Sequence, residues 1–223
     1  MRKLNIISVV AIVSLASVIV WLWYEISNIP QALELNGPSA EGMLIENVRV
    51  ISMVPGAPEV EEGRAVLIKG DRIVKIGASG GIKTPQGVKV IDGQGQTLIP
   101  GLIDAHMHIS DEAELAAYLS HGVTGLRNMS GYPFHLQLAE NIRAGVILGP
   151  DFITTGPILN SHGPNENAVQ QIVMTDVEAR LAVQAQHDAG YRILKVYSNL
   201  TREAFGAILD EAPVSRWRVR LSR

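Results

Sequence analysis

Two histidines one residue apart form the most chemically informative motif of this sequence. His106 and His108 close the run LIPGLIDAHMHI, residues 98–109. Side chains at positions i and i+2 of a strand point to the same side, so a strand here would bring both imidazoles to one point. Two converging imidazoles suit a divalent ion such as zinc. The alternative interpretation is a pair of structural or solvated histidines.

A lysine far downstream favours the metal interpretation. Lys195 lies in the otherwise apolar run ILKVY, residues 193–197, which has the composition of a central strand. A cation inside a parallel sheet is costly unless a partner neutralises it. One solution is a carbamate formed with carbon dioxide, an anion that can bridge two metal ions. The other is a side chain that extends to the edge of the sheet, where water reaches its ammonium group.

Composition removes several classes of function. The chain contains no cysteine, which excludes disulfides, thiolate metal sites and cysteine nucleophiles. Its net charge is −3 and it shows no basic face, which argues against nucleic acid as a partner. With 223 residues, 47% of them apolar, it can build a sizeable core in one or two domains.

The apolar N-terminus predicts a transmembrane helix over residues 1–24 that acts as a signal anchor. Arg2 and Lys3 precede an uncharged run, Leu4–Tyr24, with about the 20 residues that a helix needs to span a bilayer. The run is longer than the roughly 7–15 apolar residues of a signal peptide. A cleaved signal peptide and a buried helix are the alternatives.

Charge placement predicts the orientation of this segment. Basic residues remain in the cytoplasm, so the chain after Tyr24 is expected outside it, anchored to the membrane or secreted if the segment is cleaved. Residues 25–42 are interpreted as a polar linker. The expected partners are therefore the membrane, through the N-terminal helix, and a small-molecule substrate. The oligomeric state stays open.

Residues 43–99 predict a small β-sandwich portion. Short runs rich in Val and Ile are bounded by Gly, Pro or Asp, which is typical of strands and turns. Gly70-Asp71 is expected to form a hairpin turn between two of these strands. No catalytic constellation occurs in this part of the sequence.

Residues 100–212 change to alternating strands and helices. This α/β alternation predicts a parallel sheet wrapped by helices, equivalent to about the first four βα units of a (β/α)8 TIM barrel. Catalytic residues of such barrels lie at the C-terminal ends of the strands. His106 and His108 fall at that end of the first strand, and Lys195 falls at that end of the fourth.

Three more residues are candidates for the substrate pocket or its support. His162 follows the third strand and could contact substrate or be a solvated loop residue. Asp104 shares a strand face with His106 and could orient a ligand. Tyr197 shares a face with Lys195 and could line the pocket. His121, at the end of a helix, is expected to be structural, whereas His135 and His187 lie in helices and are expected on the surface.

The runs GLIDAHMH, GVTGLRNM and ILKVYSNLTREAFGAILDEA, with the β portion, together resemble the amidohydrolase superfamily. The resemblance covers roughly residues 43 to 212 and is strongest to the imidazolonepropionase-like and prolidase-like branch. It implies a β-sandwich beside a (β/α)8 barrel with one or two divalent ions, zinc above all. His106 and His108 match the first-strand ligands, and Lys195 matches the carboxylated lysine of dinuclear members.

The resemblance also implies a reaction, the hydrolysis of a non-peptide amide, a cyclic amide or a dipeptide. A bound metal lowers the pKa of water to about 7 and polarises the scissile carbonyl group. Members of the family further use histidines after the fifth and sixth strands and an aspartate general base after the eighth. This sequence offers no match for them, so its catalytic residues stay unassigned.

The end of the sequence departs from the family pattern. A full barrel needs about 250 residues, whereas 123 follow Pro100. Residues 213–223, PVSRWRVRLSR, are rich in arginine and show no apolar period, so we expect an out-of-frame or disordered tail. A basic tail that binds anionic lipid is the alternative. We therefore expect a truncated hydrolase with weak activity or none or, alternatively, a non-catalytic remnant or membrane-tethered binding module.

Overall fold

The computed structural model describes residues 6–27, 42–164, 166–214 and 218–221, with the side chains of the N-terminal helix described for residues 13–24. The chain divides into two compact units. One, here called the sheet unit, comprises Leu35–Asp104 and Gly122–Gly125. The other, the barrel unit, comprises Met1–Glu34, Ala105–His121 and Leu126–Arg223. Most of the predicted linker, residues 28–41, lies outside the described residues.

The apolar N-terminal segment folds as helix α1, Ile6–Ser27. Its aliphatic and aromatic side chains between Val13 and Tyr24 are exposed. Crossing a bilayer takes about 20 consecutive apolar residues. Within the part of the chain that the structure describes, no helix combines the length and the apolarity that a membrane span requires. The predicted transmembrane helix is therefore not found.

Five strands form a single sheet in the sheet unit. They are β1 (Gly42–Val50), β2 (Glu61–Lys69), β3 (Arg72–Ala78), β4 (Lys89–Asp92) and β5 (Thr97–Leu98). The order is β3-β2-β1-β4, and β5 also pairs with β1. The predicted hairpin is confirmed, because Lys69 pairs with Arg72 across Gly70 and Asp71. Gly70 has φ of +56°, a conformation that a residue without Cβ adopts most readily.

Period-two alternation places an apolar cluster on each face of this sheet. Leu67 packs with Leu44 in one cluster, and Val66 packs with Val48 in the other. Adjacent strand residues point to opposite faces, so Val66 and Leu67 belong to different clusters. The described residues of this unit thus supply one sheet of the predicted β-sandwich portion.

Strands and helices alternate along the rest of the chain, as predicted. They are β6 (Leu102–Met107), α2 (Glu114–Ser120), β7 (Val123–Asn128), α3 (Pro133–Arg143), β8 (Asp151–Thr154), β9 (Ile158–Asn160), β10 (Gln170–Ile172), α4 (Asp176–Asp188), β11 (Ile193–Val196), α5 (Arg202–Val214) and β12 (Arg218–Leu221). Four strand–helix units result, with β8 and β9 together forming the strand part of the third.

Two sheets meet along the chain segment that contains β8 and β9. One has the order β6-β7-β8, and the other has the order β10-β9-β11-β12. Between β8 and β9, the Thr155 amide donates to the Asn128 carbonyl (2.9 Å) and the Gly156 amide donates to the Ile193 carbonyl (2.8 Å). These two bonds link β7 on one side to β11 on the other.

Local sequence determines where the helices begin. Thr175 caps α4, accepting a hydrogen bond from the Glu178 amide (3.2 Å), while Glu178 accepts one from the Thr175 amide (3.1 Å). Helix α2 begins at Glu114. A turn precedes it, in which Asp111 accepts a hydrogen bond from the Ala113 amide (2.8 Å).

Helices α4 and α5 pack on β9 and β11 to form the main core of the barrel unit. Val183 of α4 and Ile208 of α5 are completely buried against Leu194 of β11. Val196 belongs to the same cluster. Because strand residues alternate, Lys195 between them points away from the helices, toward the opposite face of the sheet.

Two strands were not predicted. The run QQI of β10 lacks the β-branched pattern typical of strands, but it pairs in parallel with β9. Strand β12 lies within the predicted tail, residues 213–223, and pairs in parallel with β11, Lys195 opposite Arg220. The alternation RVRL and the open edge of β11 explain this pairing.

Candidate metal-binding site

A cavity of about 230 Å³ lies at the strand ends of the barrel unit. Its walls come from β6, from the residues after β7, from β9 and the loop that follows it, and from β11 and its C-terminal end. The lining residues are His106, His108, Ser130, Ile158, Asn167, Val169, Lys195 and Tyr197. The structure thus brings together three predicted metal ligands and one predicted pocket residue.

His106 and His108 lie side by side in this cavity. Their ring centroids are 5.6 Å apart and the ring planes are inclined by 66°. Both side chains are exposed, whereas Met107 between them is buried. This alternation is the strand geometry that the His-x-His spacing predicts.

The amine of Lys195 is buried beside the two imidazoles. The residue is 1% exposed, and its Nζ has no hydrogen-bond partner among the described residues. Its Nζ lies 5.7 Å from the centre of the Tyr197 ring. Burial lowers the pKa of Lys195, and the positive charge of Arg127 lowers it further. Both effects favour the neutral amine, which is the nucleophilic form.

Two polar residues that line the cavity were not predicted from the sequence. Ser130 follows β7 and is 7% exposed, and its Oγ has no hydrogen-bond partner in the described part of the chain. Asn167 comes from the loop between β9 and β10 and is exposed. Its side-chain oxygen accepts a hydrogen bond from the Val169 amide (3.1 Å). Neither residue belongs to a sequence motif. Only the packing of the strands in the structure shows that they line the cavity.

The other predicted residues do not line this cavity. The exposed His162 lies within hydrogen-bond distance of Glu166, with 2.9 Å between Nδ1 and Oε2. Asp104 is half-buried and belongs to the sheet unit. His121 contacts the Ala117 carbonyl at 2.8 Å, at the C-terminal end of α2, as expected of a structural residue.

One histidine lies elsewhere than predicted. His135 was expected on the surface because it lies in a polar, amphipathic helix, but it is 1% exposed. The N-terminus of α3 faces β7, so His135 packs against Asn128 and Phe152 rather than water. Sequence periodicity could not show this, because the contact joins residues from separate elements.

The donor atoms of the cavity fit a divalent metal in part. Imidazole nitrogens are common ligands of zinc and related ions. Within the described ranges, no group of three or more His, Asp or Glu side chains lies where it could hold a metal ion. Lys195 also lines the cavity, and its buried Nζ has no hydrogen-bond partner among the described residues.

The chain is similar in sequence to known enzymes and in structure to solved amidohydrolases and prolidases. No family model matches the chain. It is 31% identical over 108 residues to adenine deaminase 3 of Rhizobium meliloti, an alignment that covers 46% of this chain and 18% of the relative. It is 36% identical over 69 residues to a dihydroorotase of Geobacter metallireducens, covering 31% of this chain and 15% of the relative.

Solved structures align over more of the chain. A candidate prolidase from Bifidobacterium longum superimposes with a TM-score of 0.67 and 26% identity, over 82% of this chain and 50% of that one. Bottromycin amidohydrolase superimposes with a TM-score of 0.65 and 23% identity, over 82% of this chain and 39% of that one. The chain thus spans about half the length of the first structure and less than a fifth of the length of the curated relatives.

Proposed function

The chain belongs to the amidohydrolase superfamily, and from this premise we propose that it carries the first-strand and fourth-strand part of a metal-dependent site for hydrolysing C–N bonds in small molecules. The observation that supports the proposal most is the shared cavity. A buried amine without a hydrogen-bond partner among the described residues faces the same space as two adjacent imidazoles.

Lys195 is the residue that we propose to be modified. Its neutral Nζ would form a bond to the carbon of carbon dioxide and lose one proton to water, giving a carbamate with a negative charge. An anion at this position offsets the nearby positive charge of Arg127, whose presence lowers the pKa of the amine. The product has two oxygens in place of one nitrogen, which suits one or two divalent ions.

The ligands that we propose for the metal are His106, His108 and the carbamate of Lys195. A divalent metal in such a site supplies Lewis acidity and lowers the pKa of water. The chain's own residues have separate tasks. Ser130 offers a free hydroxyl to a polar group in the cavity, and Tyr197 presents its ring beside Lys195. Zinc is the ion that we propose first, because its sites use imidazole and carboxylate ligands.

Small substrates agree best with the size of the cavity. A volume of about 230 Å³ lies below the 300–1,000 Å³ typical of drug-sized ligands. The similar proteins named above include an adenine deaminase, a dihydroorotase and a candidate prolidase. We therefore propose a small substrate such as a cyclic amide, an amidine-type base or a dipeptide. The alternative proposal is a non-catalytic remnant or binding module, favoured by the lack of a third His, Asp or Glu ligand in the described residues.

Zinc content and hydrolysis together test the proposal. The full chain is purified with zinc and bicarbonate, its bound zinc is measured, and hydrolysis of adenine, dihydroorotate and Xaa-Pro dipeptides is followed. We expect at least one equivalent of zinc, lost in the His106→Asn/His108→Asn double variant and retained in His121→Asn. Zinc with hydrolysis supports the enzyme, and zinc without hydrolysis supports the binding module. A folded chain without stoichiometric zinc contradicts the proposed metal site and favours the non-catalytic remnant.

Export from the cytoplasm, anchored or secreted, stays a proposal from the charges that flank the N-terminal segment. A reporter that is active only outside the cytoplasm, fused at residue 40, tests it. An active fusion supports export, and a silent but stable fusion contradicts it.

A further inference from the structure

A buried network of side chains holds the backbone beside His108. Two members matter most, Asn128 at the end of β7 and His135 in α3, and both are almost completely buried. Asn128 Oδ1 accepts a hydrogen bond from the Ile109 amide (3.3 Å). His135 Nε2 lies 3.0 Å from the Ile109 carbonyl oxygen. Both backbone polar groups of the residue after His108 are therefore bound by side chains.

The hydrogen bonds determine the tautomer of His135. Its Nδ1 faces two donors, the Tyr132 amide (2.9 Å) and the Asn128 side-chain amide (3.2 Å). A nitrogen that accepts from a backbone N–H carries no proton of its own. The proton of the neutral ring therefore lies on Nε2 and is donated to the Ile109 carbonyl. Burial lowers the pKa of His135, which agrees with a neutral ring.

Both peptide planes that flank His108 are thereby fixed. The Met107 carbonyl belongs to the plane before it and accepts a hydrogen bond from the Met129 amide (2.9 Å). The Ile109 amide belongs to the plane after it and is bound by Asn128. With both planes held, φ and ψ of His108 are fixed. Only rotation about its side-chain bonds can then bring the imidazole to a ligand.

We propose that Asn128 and His135 are positioning residues that act through Ile109 to hold His108 at the cavity. The proposal rests on the proposed function, in which His108 is a metal ligand. The Thr154 side chain belongs to the same network but forms its hydrogen bonds elsewhere: its Oγ1 accepts from Asn128 Nδ2 (3.0 Å) and donates to the Thr155 carbonyl (2.9 Å). Thr154→Val therefore provides a matched control.

The test combines hydrogen exchange with zinc affinity in the full chain. Asn128→Leu and His135→Phe remove the two contacts to Ile109, His135→Gln restores a side-chain donor, and Thr154→Val removes a network bond elsewhere. We expect the Ile109 amide to be protected in the wild type and to lose protection selectively in Asn128→Leu. Zinc affinity should fall about 10–100-fold in Asn128→Leu and His135→Phe, recover in part in His135→Gln and change less than about twofold in Thr154→Val.

The two readouts separate this proposal from the one on which it rests. A wild type that binds no zinc overturns the metal site, and the exchange of Ile109 still decides whether the network holds this backbone. Folded Asn128→Leu and His135→Phe variants that bind zinc like the wild type overturn the positioning role. So does an Ile109 amide that exchanges freely in the wild type. If a variant fails to fold, the zinc affinities of His135→Gln and Thr154→Val give the comparison: a larger loss in His135→Gln supports the positioning role, and equal affinities overturn it.

Discussion

At the scale of single residues, Lys195 combines an unfavourable position with chemically useful properties. Its amine is buried on β11 between Leu194 and Val196 and has no hydrogen-bond partner among the described residues. An unpaired buried charge costs stability, and the lowered pKa expresses the same cost. A residue that serves stability alone would be apolar here, so we interpret Lys195 as retained for chemistry.

Replacing Lys195 with methionine should therefore stabilise the metal-free chain. Lys195→Met keeps much of the side-chain volume and removes the buried amine, so we expect the free energy of unfolding to rise by about 1–4 kcal/mol. Denaturant unfolding in chelator measures it. Leu194→Met, a volume-conserving change one residue away, should cost less than about 1.5 kcal/mol. A Lys195→Met variant less stable than the wild type would contradict the interpretation.

His135 should make stability depend on pH. Burial lowers its folded-state pKa below the usual 6.5, so between these two values the folded chain binds fewer protons than the unfolded chain. Its contribution to stability is complete above pH 6.5 and is lost as the pH falls toward the folded-state pKa, with a slope of up to about 1.4 kcal/mol per pH unit. Denaturant unfolding from pH 7.5 to about pH 5 in chelator measures this.

The comparison variant for this pH dependence is His135→Gln, which cannot titrate. We expect its free energy of unfolding to be lower at every pH. The slope of that free energy with pH should lack the contribution of the imidazole. Equal slopes in the two proteins would show that His135 does not titrate with unfolding.

At the scale of elements, the close approach of β7 and β8 places the polar network beside the cavity. Gly131 follows β7, and a methyl group there would collide with the Thr155 carbonyl. The Gly131 amide also donates to the Gly156 carbonyl (3.1 Å). The absence of a side chain at residue 131 is thus what lets the two segments lie in contact.

Gly131→Ala should destabilise the chain by about 1–3 kcal/mol, because the backbone of one segment must move. Gly206→Ala in α5 is the matched control substitution, and we expect it to raise the stability of the chain. A methyl group at residue 206 meets no atom within 4 Å, so the helix should gain roughly 0.5–1 kcal/mol. Thermal or denaturant unfolding of both variants measures the difference, and a neutral Gly131→Ala would refute the close packing.

Elements with a clear local pattern were predictable. The His-x-His alternation and the Gly70-Asp71 hairpin each depend on a few neighbouring residues. The burial of His135 and the place of Ser130 in the cavity wall depend on contacts between elements. No local sequence pattern therefore predicts them. Strand β10 was missed for the same reason, since its pairing with β9 outweighs the weak strand preference of QQI.

At the scale of the whole molecule, the site is assembled from separate strand ends. His106 lies on β6 and His108 directly follows it, Ser130 follows β7, and Lys195 lies on β11. The contributions of β6 and β11 to the site were predictable because a charged or metal-binding residue interrupts an apolar run in each strand. The loop between β9 and β10 carries no such signal. The fold was thus predictable as alternating strands and helices, and the cavity only in part.

The most direct test of the central claim is carbon-13 NMR of the full chain with zinc and ¹³C-bicarbonate. If Lys195 and the two histidines form one metal-binding site, a lysine carbamate signal should appear when zinc is added. It should be absent in Lys195→Met and strongly reduced in the His106→Asn/His108→Asn double variant. A folded, zinc-treated wild type without this signal, or a signal that persists in Lys195→Met, would contradict the account.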